Sequence, residues 1–323
     1  CFIDKTEFSY SFKDINSSKL RGAESVIINL SKELSEIGHD VVVFNNCGNE
    51  EYRTKNLSWI NLNRIKENHL NFDVVISNGD CNFFKMISSK KNILISHSNQ
   101  PLEQFVRKKQ LLSYLKYKPT IWVTSEFQLE KRSIFIKMFG HLLIPWSVDK
   151  VFLNSKLKNK LDNNQAIFTS RPDRNQNILI DIWINEILPN VKNKKLLVYG
   201  NKTHLHNSIK NKSFVSQNEL ISDLINSRLY LIPGHKAETF CLAAEEAREL
   251  CIPIVTLGIG CLSERVEHGI TGFVAKDRKE FRDYSIRLFM DDKIWLSLRN
   301  NLINNRGKNS WKKVANSFLN KIK

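Results

Sequence analysis

Several familiar signals are missing from this sequence, and each absence excludes a class of protein. No run of about eighteen apolar residues occurs, which argues against a helix that crosses a bilayer. No signal peptide precedes the first predicted strand. Because the chain opens at Cys1 without a methionine, we interpret it as a fragment lacking a few N-terminal residues, where an export signal would go unseen. The six cysteines form no C-x-x-C pair, which argues against zinc and a disulfide framework and favours reduced thiols in the cytoplasm.

Negative charge is also in short supply. The chain has 49 Lys and Arg against 33 Asp and Glu, a net charge of +16. This surplus favours an anionic partner such as a nucleotide diphosphate or a lipid headgroup. It has a second interpretation, because an AT-rich genome produces sequences rich in Lys, Asn and Ile without selection for function. No recognition module for nucleic acid accompanies the charge, so we expect no nucleic-acid partner. An NAD-dependent enzyme is disfavoured too, because no G-x-G-x-x-G follows the first strand.

The most informative stretch is residues 233–275, which predicts a loop, a helix, a strand and a second glycine turn. The apolar run before it ends a strand at Gly234, and Thr239 is suited to cap the helix that follows. Glu238 then precedes the helix N-terminus, and Glu246 lies two turns along it, roughly 12 Å away. The unpaired N–H groups of the first turn favour an anion such as a diphosphate. A carboxylate at each flank suits sugar hydroxyls, so the pattern indicates a nucleotide sugar.

The same stretch resembles retaining glycosyltransferases of the GT-B fold, glycosyltransferase family 4. The resemblance rests on Glu238 and Glu246 with seven residues between them, on E-A-R-E-L-C-I-P-I-V after them, and on the later Gly258-Ile-Gly260 and His268-Gly-Ile-Thr-Gly272. It implies an α/β fold of two Rossmann-like domains facing across a cleft. It also implies that Glu238 contacts the donor sugar and Glu246 the ribose. No D-x-D triplet occurs, which argues against the metal-dependent fold, so we expect no metal and no cofactor.

The resemblance assigns further residues to the site. Gly22 and Ala23, at a predicted helix start, match a phosphate-approaching turn that usually has two glycines, and His97 follows a strand end that faces the donor sugar. Arg171 matches a basic residue for the leaving diphosphate. The lysine expected soon after it is missing, and Arg174 is the candidate substitute. We predict His97, Arg171 and Glu238 as catalytic. The predicted donor-binding residues are Gly22, Ala23, Arg171, Arg174, His235, Glu238, Thr239, Phe240, Cys241, Leu242 and Glu246. A turn glycine, a structural histidine and solvated arginines are the alternatives.

The resemblance also sets the domain boundaries. Leu142 to Asp149 corresponds to the I-P-N-G-V-D segment that joins the two domains in that family. We therefore expect an acceptor-side domain at 1–145 and a donor domain at 146–305. A C-terminal helix at 306–323 is expected to pack back on the first domain.

A basic segment at 103–118 has two interpretations. Its Arg and Lys residues alternate with apolar ones, which fits one amphipathic helix lying on an anionic membrane, as in membrane-associated members of the family. It fits equally a helix packed on the core with a solvated basic face. A peripheral position at the inner membrane face depends on the first interpretation.

The sequence therefore predicts a retaining, metal-independent glycosyltransferase that uses a nucleotide sugar and a glycan, lipid-linked or other hydroxyl acceptor. The alternative is a catalytically inactive GT-B protein that binds a nucleotide sugar or a protein partner. Two departures from the family favour that alternative: the missing lysine, and Cys241 where the family often has glycine.

Overall fold

The structure is a computed structural model, and it describes residues 1–16, 22–67, 71–99, 101–158, 164–200, 203–213 and 215–323. The chain divides into two compact units. Unit 1 consists of Cys1–Trp146 together with Trp311–Lys323, and unit 2 consists of Ser147–Ser310.

Unit 1 is built on an eight-stranded sheet. Its strands are β1 (Phe2–Ile3), β2 (Val41–Asn45), β3 (Tyr52–Arg53), β4 (Leu57–Asn61), β5 (Phe72–Asn78), β6 (Ser89–Ile95), β7 (Thr120–Val123) and β8 (His141–Leu143). The strand order is β3-β4-β2-β1-β5-β6-β7-β8, and only the β3–β4 pair is antiparallel among the described strands. The central strands are apolar and buried, as a parallel sheet requires.

The helices of unit 1 that precede its last strand are short except for the first. They are α1 (Gly22–Glu36), α2 (Leu102–Arg107), α3 (Leu111–Tyr117), α4 (Glu126–Glu130) and α5 (Ile134–Lys137), with 3-10 turns at Phe12–Asn16, Leu62–Glu67 and Cys81–Lys85. In α1 the predicted apolar face is present, since Val26, Ile27 and Leu30 are buried. The chain leaves that helix through Gly38, whose φ of 106° is accessible mainly to glycine.

The basic segment does not form the single helix that its pattern predicts. It forms α2 and α3, and the break falls at Lys109, which has a left-handed φ of 54°. Phe105 and Tyr114 explain the break. In a continuous helix they would lie about two and a half turns apart, on opposite faces. The break lets both rings enter the core, where they meet edge to face at 5.3 Å.

Unit 2 is built on a six-stranded parallel sheet. Its strands are β9 (Gln165–Phe168), β10 (Lys195–Tyr199), β11 (Ile209–Lys212), β12 (Leu229–Gly234), β13 (Ile254–Ile259) and β14 (Gly272–Val274). The order is β11-β10-β9-β12-β13-β14. The helices are α6 (Lys150–Asn154), α7 (Gln176–Ile182), α8 (Gln217–Ile225), α9 (Leu242–Glu249), α10 (Leu262–Arg265), α11 (Arg278–Met290) and α12 (Asp292–Asn305). After α7 the chain continues through a π-helical turn, Trp183–Ile187, and a 3-10 turn, Leu188–Asn190.

The chain ends in α13 (Trp311–Ile322), which belongs to unit 1. Its Phe318 ring stacks on Trp122 with centroids 4.7 Å apart, and its Trp311 ring lies 5.9 Å from that of Trp146. These aromatic contacts attach the last helix to the end of the sheet at β7 and β8. Within the described residues, no helix is both long enough and apolar enough to cross a membrane.

Candidate functional site

The loop between β12 and α9, residues 235–241 and called the donor loop below, holds five of the eleven predicted donor-binding residues. It starts after Gly234, which has φ 95°, and lies against Gly260 in the turn after β13. A Cβ atom on Gly260 would lie 2.5 Å from the carbonyl oxygen of His235 and 2.9 Å from that of Glu238. Only glycine permits this approach, and it lets the Cys261 N–H donate to the Glu238 carbonyl oxygen at 3.1 Å. The Gly258-Ile-Gly260 motif therefore has a packing role here.

The structure brings three of the predicted residues together. Arg174 Nε lies 3.5 Å from Glu238 Oε1, and Arg174 Nη1 lies 3.2 Å from His235 Nδ1. The Ala237 N–H also donates to His235 Nδ1, at 3.1 Å. Because both neighbours of Nδ1 are donors, Nδ1 accepts and the ring proton lies on Nε2. From the turn after β9, Arg174 thus contacts two residues of the donor loop.

Arg171 occupies a different position from Arg174. It makes a bidentate pair with Asp173, at 2.9 and 3.0 Å, and 68% of its side chain is exposed. Where the family has a lysine, this chain has Asn175, Gln176 and Asn177. Asn175 has a φ of 63°, and its Nδ2 donates to the Gly234 carbonyl oxygen at 2.6 Å. That side chain supports the donor loop and supplies no charge. Of the two arginines, Arg174 is therefore the one that pairs with Glu238.

The helix start differs from the sequence prediction. Thr239 does not cap α9. The N-cap position is Cys241, with a left-handed φ of 59° and no side-chain capping bond. Among the described residues, the backbone N–H groups of Leu242 and Ala243 have no recorded acceptor, as expected for an uncapped first turn. The family's frequent glycine at position 241 is explained by this φ, which glycine adopts without strain.

Burial sets the protonation of the loop. Desolvation raises the pKa of Glu238, and the positive charge of Arg174 opposes the rise. Burial next to the Glu238 carboxylate also raises the pKa of Cys241 well above its usual value. The thiol is therefore protonated and poorly suited to act as a nucleophile.

Glu246 lies on α9 and is not part of the Arg174 cluster. Burial raises its pKa to about 8, and the nearby charge of Asp149 adds to the rise. Asp149 caps α6 through Oδ1, which accepts from the Val151 N–H at 3.0 Å, while its Oδ2 is buried and has no hydrogen-bond partner in the part of the chain that the structure describes. The Glu246 carboxyl group makes no hydrogen bond or ion pair with any described residue.

A layer of ion pairs behind the site was missed by the sequence analysis. Arg265 stacks over the Phe240 ring at 4.8 Å and pairs with Glu245 at 3.0 Å, and Arg248 pairs with Glu245 and Glu249 at 2.6 and 2.9 Å. These contacts fix Phe240 and the first turns of α9. The only sequence signal was the i, i+3 spacing of Glu245 and Arg248, which is common on solvated helices.

The remaining predicted residues lie in unit 1. Gly22 and Ala23 form the first turn of α1, and the preceding residues 17–21 lie outside the described ranges. His97 follows β6, and its Nε2 lies 2.6 Å from Asn78 Oδ1. Burial lowers the pKa of His97 to about 4, so the imidazole is neutral at physiological pH.

The left-handed position of Cys241 leads to a stability prediction. For a residue with a Cβ this conformation costs roughly 1–2 kcal/mol. We expect Cys241→Gly to have a free energy of unfolding about 1 kcal/mol higher than Cys241→Ala, measured by urea denaturation. Cys261 is the matched control, since it is equally buried but has φ −81°. At Cys261 the alanine variant should be more stable than the glycine variant. If the glycine variant is the more stable one at both positions, or the alanine variant at both, the prediction is contradicted.

The raised pKa of Glu246 predicts a pH-dependent stability. In the unfolded chain this carboxyl ionises near its usual 4.5, and in the folded protein near 8. Between these values the folded state holds the extra proton, so the free energy of unfolding falls as pH rises and levels off above about 8. We expect Glu246→Gln to remove this part of the fall in urea denaturation at pH 5, 6.5 and 8.5. The exposed Glu267→Gln serves as control, and parallel curves for Glu246→Gln and wild type would refute the assignment.

Comparison with known proteins gives a consistent picture. Residues 154–309 match the family model for glycosyl transferases group 1, and no curated protein matches the chain by sequence. Among solved structures, the chain resembles sucrose-phosphate synthase from Thermosynechococcus elongatus, with a TM-score of 0.70, 13% identity and coverage of 99% of this chain and 98% of that one. It also resembles HepE from Anabaena, solved with UDP and glucose, with a TM-score of 0.71, 14% identity and coverage of 99% of this chain and 98% of that one. A third similar structure is WaaG, a glycosyltransferase involved in lipopolysaccharide biosynthesis, with a TM-score of 0.69, 11% identity and coverage of 100% of this chain and 99% of that one.

These comparisons confirm the predicted fold class, because two parallel-sheet α/β units match GT-B structures over nearly the whole chain. They confirm the predicted enzyme class at the level of the matched family. Family 4, retention and the acceptor stay predictions. Residues 154–309 thus match the family model for glycosyl transferases group 1, within a chain that has the fold of GT-B glycosyltransferases.

Proposed function

We propose that this protein moves a sugar from a nucleotide-diphosphate sugar to a hydroxyl of a glycan or lipid-linked acceptor, with retention of configuration and without a metal. The observation that carries the proposal is the 3.5 Å contact between Arg174 and Glu238 at the start of α9. A desolvated carboxylate, a cation and a helix N-terminus in one loop suit a ligand that has both sugar hydroxyls and a diphosphate.

In this proposal the diphosphate lies over the first turn of α9. The N–H groups of Leu242 and Ala243 and the helix dipole favour an anion by roughly 0.3–1 kcal/mol. Arg174 and Arg171 add positive charge. The Arg171–Asp173 pair is exposed, and such pairs contribute only about 0–1 kcal/mol, so Arg171 can exchange its carboxylate for a phosphate at little cost. As the bond from the anomeric carbon breaks, charge grows on the leaving oxygen, and these donors stabilise it in place of a metal ion.

The two glutamates hold the ends of the donor. Glu238 accepts hydrogen bonds from hydroxyls of the sugar, and Arg174 helps to keep it ionised. Glu246 accepts from the ribose. Each hydrogen bond to a charged acceptor contributes on the order of 1.5–3 kcal/mol. Since the unliganded Glu246 carboxyl has a pKa of about 8, ribose binding has to favour its ionised form.

Retention is assigned to a same-face reaction. The acceptor oxygen attacks the anomeric carbon on the side from which the phosphate leaves, and the leaving phosphate takes the acceptor proton. A double displacement would need a nucleophile close to the anomeric carbon. Cys241, the thiol nearest to Glu238 in sequence, is held protonated and does not suit that role. His97 contacts the donor sugar as a neutral imidazole in this scheme.

The alternative function is a catalytically inactive GT-B protein that binds a nucleotide sugar or a protein partner. Two observations favour it: the expected lysine is missing, with Asn175, Gln176 and Asn177 in that stretch, and Cys241 places a strained, bulkier residue at the helix start. Arg174 weakens this alternative, because it returns a cation to within 3.5 Å of Glu238.

Nucleotide release and nucleotide affinity test the proposal. HepE was solved with UDP-glucose, so UDP-sugars come first, followed by GDP- and ADP-sugars. We expect Glu246→Ala to weaken nucleotide binding about 10- to 100-fold in calorimetry, because one or two ribose hydrogen bonds are lost. Glu238→Gln should leave nucleotide affinity nearly unchanged and lower the rate of nucleotide release at least 100-fold. Glu267→Ala, on the surface of unit 2, is the control.

Two results would separate the alternatives. If Glu246→Ala binds the nucleotide as well as wild type does, the ribose assignment is wrong. If a nucleotide sugar binds but neither transfer nor hydrolysis releases the nucleotide with any acceptor, the inactive binding protein is the correct interpretation.

We also propose that unit 1 contacts an anionic membrane, which would bring lipid-linked acceptors near the site. The proposed contact surface is formed by α2, α3 and α5. Its exposed apolar residues are Val106, Leu112, Leu115, Ile134, Phe135 and Met138, and its exposed basic residues are Arg107, Lys108, Lys109, Lys116, Lys118 and Lys131. The Tyr114 hydroxyl of α3 donates to the carbonyl oxygens of Phe135 and Ile136 in α5, at 3.1 and 3.0 Å, so the helices adjoin. Apolar side chains among basic ones suit an anionic bilayer.

Vesicle pelleting tests the membrane contact. At about 1 kcal/mol per basic side chain, reversing Arg107, Lys108 and Lys109 to Glu should lower partition onto phosphatidylglycerol vesicles more than 100-fold. Phosphatidylcholine vesicles should bind little of either protein. The matched control reverses Lys276, Lys279 and Lys293, which are exposed in unit 2. If both triple variants lose vesicle binding equally, net charge alone explains the binding. If the variant at Arg107, Lys108 and Lys109 binds vesicles as well as wild type does, the proposal is wrong.

A further inference from the structure

A chain of hydrogen bonds lies behind His97 in unit 1. The Tyr10 hydroxyl donates to Asp4 Oδ2 at 2.6 Å, Asn78 Nδ2 donates to Asp4 Oδ1 at 2.9 Å, and Asn78 Oδ1 lies 2.6 Å from His97 Nε2. Asp4, Asn78 and His97 stand at the carboxyl ends of β1, β5 and β6, which are neighbours in the sheet. The sheet topology therefore places the three side chains in a row.

The chemistry of this row decides where the protons lie. A carboxylate only accepts, so Asn78 turns its NH₂ group toward Asp4 and its carbonyl oxygen toward His97. The His97 nitrogen that meets this oxygen must donate, which places the ring proton on Nε2. Burial raises the pKa of Asp4, and the bonds from Tyr10 and Asn78 oppose the rise by favouring the carboxylate.

The backbone on both sides of His97 is held as well. Gln128 Nε2 donates to the carbonyl oxygens of Ser96 and Ser98 at 2.8 and 3.1 Å. Arg132, which is only 4% exposed, donates through Nη2 to Ser96 Oγ and to the Ser98 carbonyl oxygen. The main chain at His97 is thus fixed independently of the ring, so changes at Asn78 affect the ring first.

We propose that Asp4 and Asn78 are positioning residues for sugar transfer, because they hold the His97 ring in its Nε2–H tautomer at the carboxyl end of β6. This inference rests on the proposed function, in which His97 contacts the donor sugar. In this tautomer Nδ1 carries the lone pair, so the ring is an acceptor for a sugar hydroxyl at that nitrogen. At other catalytic histidines, an amide or carboxylate bonded to one ring nitrogen sets the tautomer in the same way.

The tautomer is measured directly by ¹⁵N NMR of the histidine rings. The chain has 8 His, and His97→Gln identifies the resonances of His97. We expect the Nε2–H pattern in the wild type at pH 7 and a mixture of tautomers in Asn78→Ala. The control is Asn82→Ala, which removes a comparable bond, from the Ser113 hydroxyl at 2.7 Å. An Nδ1–H pattern in the wild type, or an unchanged Nε2–H pattern in Asn78→Ala, would overturn the inference, and neither depends on enzyme activity.

Kinetics test the link to the reaction. A ring displaced by about 1 Å costs on the order of 100-fold in rate, so Asn78→Ala should lower kcat about 100-fold with little change in nucleotide affinity. Asp4→Asn, which keeps the size of the side chain, should lower kcat in the same direction, and Asn82→Ala should not. If the tautomer changes and kcat does not, the pair does not position His97 for transfer. If no variant, including wild type, transfers sugar while the Nε2–H pattern is present, the proposed function has failed and the claim that Asp4 and Asn78 act in sugar transfer is overturned with it.

Discussion

The donor loop depends on the pairing of a desolvated carboxylate with one arginine. Burial alone would drive Glu238 toward its neutral acid, and Arg174, 3.5 Å away, opposes this. The same guanidinium reaches His235 Nδ1 at 3.2 Å, so one side chain from the turn after β9 organises a loop that follows β12. A diphosphate bound at α9 would compete with Glu238 for this cation.

Close backbone packing makes this pairing possible. Gly234 and Gly260 allow β12, β13 and their loops to approach within distances that no Cβ permits. Behind them, the stacking of Arg265 on Phe240 and the ion pairs of Glu245 hold the start of α9. Since a side chain that is displaced from its working position loses much of its effect, these supporting contacts matter as much for the predicted site as Glu238 and Arg174 do.

Local patterns predicted what depends on neighbours in sequence. The strand that ends at Gly234, the helix after Phe240 and the α/β class follow from runs of apolar residues, glycine turns and helical spacing. Tertiary contacts decided the rest. The break at Lys109 arises because Phe105 and Tyr114 must enter one core, and the helix start at Cys241, not Thr239, arises from packing against the turn after β13. The contact of Arg174 with His235 joins residues 61 positions apart, and no local signal marks it.

The two histidines that the sequence predicts for the site, His235 and His97, are fixed by opposite means. Arg174 and the Ala237 N–H are donors, so they make His235 Nδ1 an acceptor and leave the proton on Nε2. Asn78 Oδ1 is an acceptor, so it makes His97 Nε2 the donor directly. In each case a protein contact at one ring nitrogen determines whether the other nitrogen is a hydrogen-bond donor or an acceptor. A histidine so held can orient a hydroxyl but is poorly placed to exchange protons, which agrees with a reaction in which the leaving phosphate takes the acceptor proton.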